Sequence, residues 1–346
     1  MRLKRTFIWV FVFSILFFYF TGISNADSKK PTVLLKMATH APLGIGIELF
    51  VRERITPTIL SVTEGVVVPD WYHGGIMGGN EDWVVKMQID QLQGAVLDGS
   101  GIHFACPQSV IMQLPFLFKN IEEITYVKGK IRKRLNQIFQ KNGYEMLFLA
   151  DQGPFDEIYS TKYELRKPED FSKSRYLSYG AAVEYETIKA LGGSPIHVSA
   201  PEVPSSIRSG ICNAMFAVPL WWVGAQLYTM TKYITPTKIR YVMGGFVITE
   251  KAWKRIPEKY HLAIKEGIEE LETDFNKRLA NDNAKSLRAM FKYGVKEGEL
   301  TQDEIEVLKK RTRSVWDRLA GKEYPRELLD SILVHLQEYR SKEATR

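Results

Sequence analysis

Cysteine is scarce in this chain: Cys106 and Cys212 are the only two in 346 residues. That excludes a disulfide-dense scaffold and a cysteine-rich zinc centre, although two thiols in an oxidising compartment can still pair. Histidine is sparse as well. His40, His73, His103, His197, His261 and His335 include no two at metal-ligand spacing, and His103 with Cys106 has no second pair to complete a zinc set. There is no Gly-x-Ser-x-Gly elbow and no phosphate-binding loop, and Gly99-Ser100-Gly101 lacks the third glycine of a dinucleotide fingerprint. A strong excess of one charge is also missing. Forty-seven Lys and Arg against 40 Asp and Glu leave a formal net charge of +7, too mild for a nucleic-acid footprint. The basic run Lys128, Lys130, Arg132, Lys133, Arg134 reads as a solvated helix face. Beyond residue 20 no apolar run is long enough to cross a membrane.

The start of the chain supplies an address. Arg2, Lys4 and Arg5 precede the apolar stretch FIWVFVFSILFFYF (7–20), and TGISNA follows with Ser24 and Ala26. This is the layout of a cleaved secretory signal peptide over 1–26. The remaining 320 residues, with net charge +4, are enough to bury a large core in two lobes.

Alternating strand and helix patterns predict an α/β fold with largely parallel sheets. Strands are expected at 32–40, 65–72, 94–98, 143–151, 157–161, 194–200, 211–218 and, as one long strand bent at Gly244–Gly245, at 238–251. Helices are expected near 46–60, 81–92, 121–140, 181–192, 301–320 and 325–340, with one very long helix between Pro257 and Gly294. Ligands of open α/β sheets bind beyond the carboxyl ends of strands. Here those ends read ATHAP, YHGG, LDGSG, ADQG and AVPLWW, which combine glycine, a few polar groups and aromatics as small-molecule pockets do. Nothing among them makes a nucleophile–base pair, so the residues indicate a pocket without a reaction, and no cofactor is called for.

Several segments then become recognisable in order. MATHAPLG, VPDWYHGGIMGGNEDWVVKMQIDQLQGAVLDGSGI, LPFLFKNIEEITYV, KPEDF and EYETIKALGGSPIHVSAPEVPSSIRSGICNA, with the long late helix, resemble the solute-binding subunits of TRAP (tripartite ATP-independent periplasmic) transporters, the DctP-like family. The resemblance runs over about 32–340. It implies a two-lobed periplasmic binding protein that closes on a small-molecule ligand and hands it to membrane permease subunits. Lobe I would hold 31–151 and 242–280, lobe II 152–241 and 281–346, with the long helix spanning both. Some branches of the family also associate with a helical-repeat periplasmic partner, which this chain's residues leave open.

The family's carboxylate-gripping arginine falls seven residues after Pro168-Glu169-Asp170 and fifteen before Gly192, and that position is Leu177. Arg175 lies two residues away. The family's Glu-Asn pair falls on Phe216 and Ala217, followed by Pro219. An atypical branch is therefore implied, with an apolar site for a neutral or weakly polar solute. Arg175 as a shifted carboxylate grip, or a vestigial cleft, are the rival readings. Candidate ligand contacts are His40, Tyr72, Asp98, Gln152, Phe155, Leu177, Phe216, Pro219, Trp221 and Trp222. Asp98 reads equally as a helix cap, Tyr72 and His73 as turn packing, Met243 as core, and one of the two tryptophans as buried packing.

Overall fold

The computed structural model of the chain describes residues 33–44, 46–153 and 155–345, so the expected signal peptide lies outside the described residues. Eleven strands are present among them: β1 (Val33–Thr39), β2 (Val67–Tyr72), β3 (Gly94–Leu97), β4 (Tyr144–Asp151), β5 (Glu157–Ser160), β6 (Arg175–Ser178), β7 (Ser194–His197), β8 (Ala214–Ala217), β9 (Tyr233–Thr235), β10 (Met243–Thr249) and β11 (Lys296–Glu297). They form two sheets, ordered β2-β1-β3-β10-β4 and β11-β9-β5-β8-β6-β7.

The sheets are mixed rather than largely parallel. In the first, β1 runs parallel to β2 and β3, while β10 is antiparallel to both β3 and β4. In the second, β5 is antiparallel to β8 and β9 among otherwise parallel pairs. The reversals have one cause. Strands β5 and β10 are each entered as the chain crosses from one sheet to the other, so each enters its new sheet against its neighbours. The long strand expected at 238–251 is shortened for the same reason, because Lys238–Val242 form the second crossing.

Periodicity explains the helices. Ile121–Lys141 buries Ile124, Val127, Ile131, Leu135 and Phe139 on one face, and Asn120 caps its start by accepting from Glu123 N at 2.9 Å. Ala182–Leu191 ends at Gly192, whose φ of 97° is cheap only for glycine. The long helix His261–Tyr293 spans both sheets, as expected. Ile264, Ile268, Leu271, Phe275 and Leu279 pack on the first sheet, and Met290 joins the core of the second. Phe148 meets Phe275 and Phe246 edge-on at 5.0 and 6.0 Å. Burying each such ring contributes about 2–3 kcal/mol.

Two expectations change at the level of packing. The lobe division placed 281–346 with the second lobe, but the last helix, Arg326–Ala344, packs on Ile121–Lys141 over the first sheet. Arg340 holds it there through Glu123 at 2.7 and 2.8 Å. The basic run is also not uniformly solvated. Lys128 is 6% exposed and pairs with Asp151 at 2.6 Å, while Arg132 reaches Glu272 of the long helix at 2.8 Å. Cys106 and Cys212 are free and buried in different cores.

Candidate functional site

Besides the long helix, two short crossings join the sheets. The first runs from Asp151 to Asp156, and the second from Lys238 to Val242. They lie side by side, since Gln152 N donates to Val242 O at 3.1 Å and Asp156 N to Arg240 O at 2.9 Å. Gly153 sits at φ 151°, and a Cβ there would meet Asn283 and Val218 at 3.0 Å. Asn283 of the long helix fastens this corner. Its Nδ2 donates to Gln152 O at 3.1 Å, and its Oδ1 accepts from Leu220 N at 2.9 Å.

A cavity of about 80 Å³ opens against the crossings. One water needs roughly 10–15 Å³ of it, so a small molecule fits. The first sheet contributes Asp98, Gly99 and Ser100 from the end of β3, and the crossings contribute Gln152, Asp156, Arg240 and Val242. The second sheet contributes Tyr179, Ala181, Glu184, Phe216 and Trp221, among others.

Its polar core is a buried triad. Arg240 is 8% exposed, and its Nε and Nη2 donate to Asp156 Oδ2 at 2.8 and 2.5 Å. Glu184 Oε1 lies 3.5 Å from Nη2, while Glu184 Oε2 accepts from Ser178 Oγ and Tyr179 N, both at 2.9 Å. Burial pushes the Asp156 and Glu184 carboxyls up, and Arg240 opposes that push. Both acids draw on one guanidinium, whose charge they in turn hold in place.

Asp98 stands opposite. It caps the turn Gly99–Ala105, with Oδ1 accepting from Ser100 N and Gly101 N at 3.0 Å and from Ser100 Oγ at 2.7 Å. Oδ2 accepts from Asn80 Nδ2 at 2.7 Å. The two readings of Asp98, cap and cleft group, describe the same side chain. Behind it, His40 stacks on Trp83 at 4.0 Å. Burial lowers its pKa against the pull of Asp98.

The structure divides the remaining candidates. Gln152, Phe216 and Trp221 line the cavity beside Asp98. Trp221 meets Tyr179 edge-to-face at 6.3 Å, whereas Trp222 is buried, stacks on Tyr159 at 4.3 Å and donates to Thr231 Oγ1 at 2.7 Å. Pro219 is buried in the first turn of Pro219–Gly224 and sets its start. Tyr72 is half-buried against the first core, and Phe155 and Met243 are packed in that core. His40, Tyr72, His73, Phe155, Pro219 and Met243 are absent from the cavity wall.

Leu177 needs correction. It is fully buried in the second sheet's core with Tyr159 and Met215, and it stays off the cavity wall although its core neighbours Met215, Tyr179 and Trp221 reach that wall. Arg175 is exposed, and its guanidinium donates to Gly210 O at 2.5 Å and Ile211 O at 2.7 Å. Neither residue takes the place of a carboxylate-binding arginine in the cavity.

Sequence reasoning passed over Asp156, Tyr179, Glu184, Arg240 and Asn283. The signal for two of them was a charge at the edge of an apolar strand: Asp156 before β5 and Arg240 before β10. The site is accordingly more polar than an apolar replacement of Phe216 and Ala217 implied.

Residues 53–323 match the bacterial extracellular solute-binding proteins, family 7, known as DctP. A solute-binding protein of Chromohalobacter salexigens is 21% identical over 301 residues, covering 87% of this chain and 86% of its own. A TRAP periplasmic solute-binding protein from the same organism, solved with bound D-glucuronate, superimposes with a TM-score of 0.79 at 18% identity, over 88% of this chain and 99% of its own. One from Sulfurospirillum deleyianum, with bound succinate, gives 0.79 at 17% identity, over 87% and 98%. The match over most of its length makes this chain a member of the DctP family of bacterial extracellular solute-binding proteins.

Proposed function

We propose that this member captures, in the periplasm, a small solute whose body is neutral or apolar and which carries no carboxylate, and that it delivers this solute to TRAP membrane permease subunits. One observation carries the choice of solute. The single arginine of the cavity wall is already paired with Asp156 and flanked by Glu184. A carboxylate entering the cavity meets no free cation and three acids, and breaking a buried pair to admit it costs about 3–5 kcal/mol. The relatives with bound glucuronate and succinate are carboxylate binders, so this chain would differ from them in solute while sharing their fold. Periplasmic residence accords with the family and with the absence, among the described residues, of a helix long and apolar enough to cross a membrane. Nothing among those residues speaks for a helical-repeat partner, which forms no part of the proposal.

Thermal unfolding against succinate, D-glucuronate and uncharged molecules of matched size tests the reading. A ligand at 100 times its dissociation constant adds about 2.7 kcal/mol, enough to move the midpoint by several degrees. The expected outcome is stabilisation by uncharged members and none by the acids. Saturable stabilisation by either acid at millimolar concentration would overturn it.

A further inference from the structure

We infer that the solute presents a small organic cation, an ammonium head on an otherwise apolar frame, to a corner formed by Asp98, Trp221 and Tyr179. The inference rests on the carboxylate-free reading above and goes beyond it. Three independent features converge.

The first is the charge of the cavity wall. Asp98, Asp156 and Glu184 face it, and Arg240 is the one cation among its lining residues. Arg240 serves Asp156 directly at 2.5 and 2.8 Å and Glu184 at 3.5 Å. Asp98, on the first sheet's side, makes no ion pair; its hydrogen-bond partners are two backbone amides, the Ser100 hydroxyl and the Asn80 amide, and the basic groups that feel its charge are Arg240, already shared by two acids, and the buried His40. The wall is therefore short of positive charge on the Asp98 side. A cationic ligand would supply it.

The second is aromatic geometry. Trp221 is half-buried on the cavity wall, and the Tyr179 ring stands at 89° to it with centroids 6.3 Å apart. The two rings meet edge to face, and both border the cavity. A cation within about 6 Å of a ring centroid is attracted by the ring quadrupole, most strongly for tryptophan and where water is excluded. Trp222, by contrast, spends its face on Tyr159 and its Nε1 on Thr231, so only one of the adjacent tryptophans is left for the cavity.

The third is the apolar remainder. Phe216, Met215, Val218 and Val242 make up its apolar part, beside Gln152 and Ser100, whose amide and hydroxyl already donate to Leu97 O and Asp98. The four apolar side chains suit methyl or methylene groups, which matches a charged head on a hydrocarbon frame.

The test compares charge at constant shape by calorimetry on the protein. One series is butylammonium, butanol and pentanoate; a second is choline and its neutral tert-butyl analogue. The ammonium members should bind at least about tenfold tighter than their uncharged counterparts, the scale of one desolvated cation–aromatic contact. Asp98→Asn keeps a capping side chain and should bring the ratio of cation to neutral affinity towards one. Trp221→Leu should lower choline affinity more than that of its neutral analogue. Equal binding of cation and neutral members, or no binding by any ammonium up to about 10 mM, overturns the cation while leaving the carboxylate-free reading intact where the neutral members bind. Tightest binding by pentanoate overturns both. An unchanged ratio in Asp98→Asn removes Asp98 from the site.

Discussion

Arg175 and Leu177 separate two meanings of a residue's position. Arg175→Ala removes two hydrogen bonds to exposed loop carbonyls and nothing from the cavity. Its cost should stay below about 1 kcal/mol in denaturant unfolding, with ligand affinities unchanged. Leu177→Arg is the contrasting substitution. It would return an arginine to the family's place in the count, but it forces a guanidinium into a fully buried core beside Tyr159 and Met215. We expect a lower midpoint by ten degrees or more, on the scale of roughly 3–5 kcal/mol for an uncompensated buried charge, and no gain of succinate binding. Glu157 supplies a residue-scale effect of pH. It is buried beside Asp156, its Oε2 has no hydrogen-bond partner among the described residues, and burial pushes its carboxyl from 4.5 to about 8. The folded state then binds a proton that the unfolded state has released. Stability from this group is full below about pH 4.5 and declines as pH rises towards 8, by at most about 1.4 kcal/mol per unit. Glu157→Gln should flatten the fall in midpoint between pH 5 and 8, the window those two values bound.

At the scale of elements, the join between the crossings and the long helix is the sensitive place. Asn283→Ala removes the bonds to Gln152 O and Leu220 N and leaves a buried amide and carbonyl without partners. Destabilisation of about 1–3 kcal/mol is expected. Because the lost bonds fix Gln152 beside the cavity and the turn that carries Trp221, solute affinity should fall in parallel. Helices such as Ile121–Lys141 and His261–Tyr293 were legible beforehand, because their apolar spacing and caps are local properties. Lys128 was legible too, had the same spacing been applied to it: it follows Val127 and precedes Ile131 on the inward stripe. The sheet directions were not legible, because strand direction depends on where the chain crosses between sheets. Asp98, Gln152 and Trp221 could be found as polar or aromatic ends of strands. The triad could not, since Asp156, Glu184 and Arg240 stand far apart in sequence and meet only through the crossings.

On the scale of the whole molecule, Lys128 ties the first crossing to the core. Its ammonium meets Asp151 at 2.6 Å, Tyr241 donates to the same carboxylate, and Glu272 of the long helix lies 3.8 Å away. Lys128→Ala strands the Asp151 charge and should cost about 3–5 kcal/mol in urea unfolding, whereas Lys128→Met combined with Asp151→Asn should recover much of that loss. Recovery by the pair, and not its individual worth, is the measurement that shows the network's cost lies in unmatched charge.

The position of β10 has a consequence for how the protein comes into being. This strand lies between β3 and β4, yet it follows five of the six strands of the second sheet in the chain. A chain that has emerged only as far as residue 240 therefore holds β3 and β4 with no strand to join them, and each presents an unpaired edge. The first half cannot finish folding while the second half is still arriving. It must wait, with apolar strands such as β4 uncovered, until the last hundred residues close the gap. That interval is when the chain depends most on being kept from its neighbours.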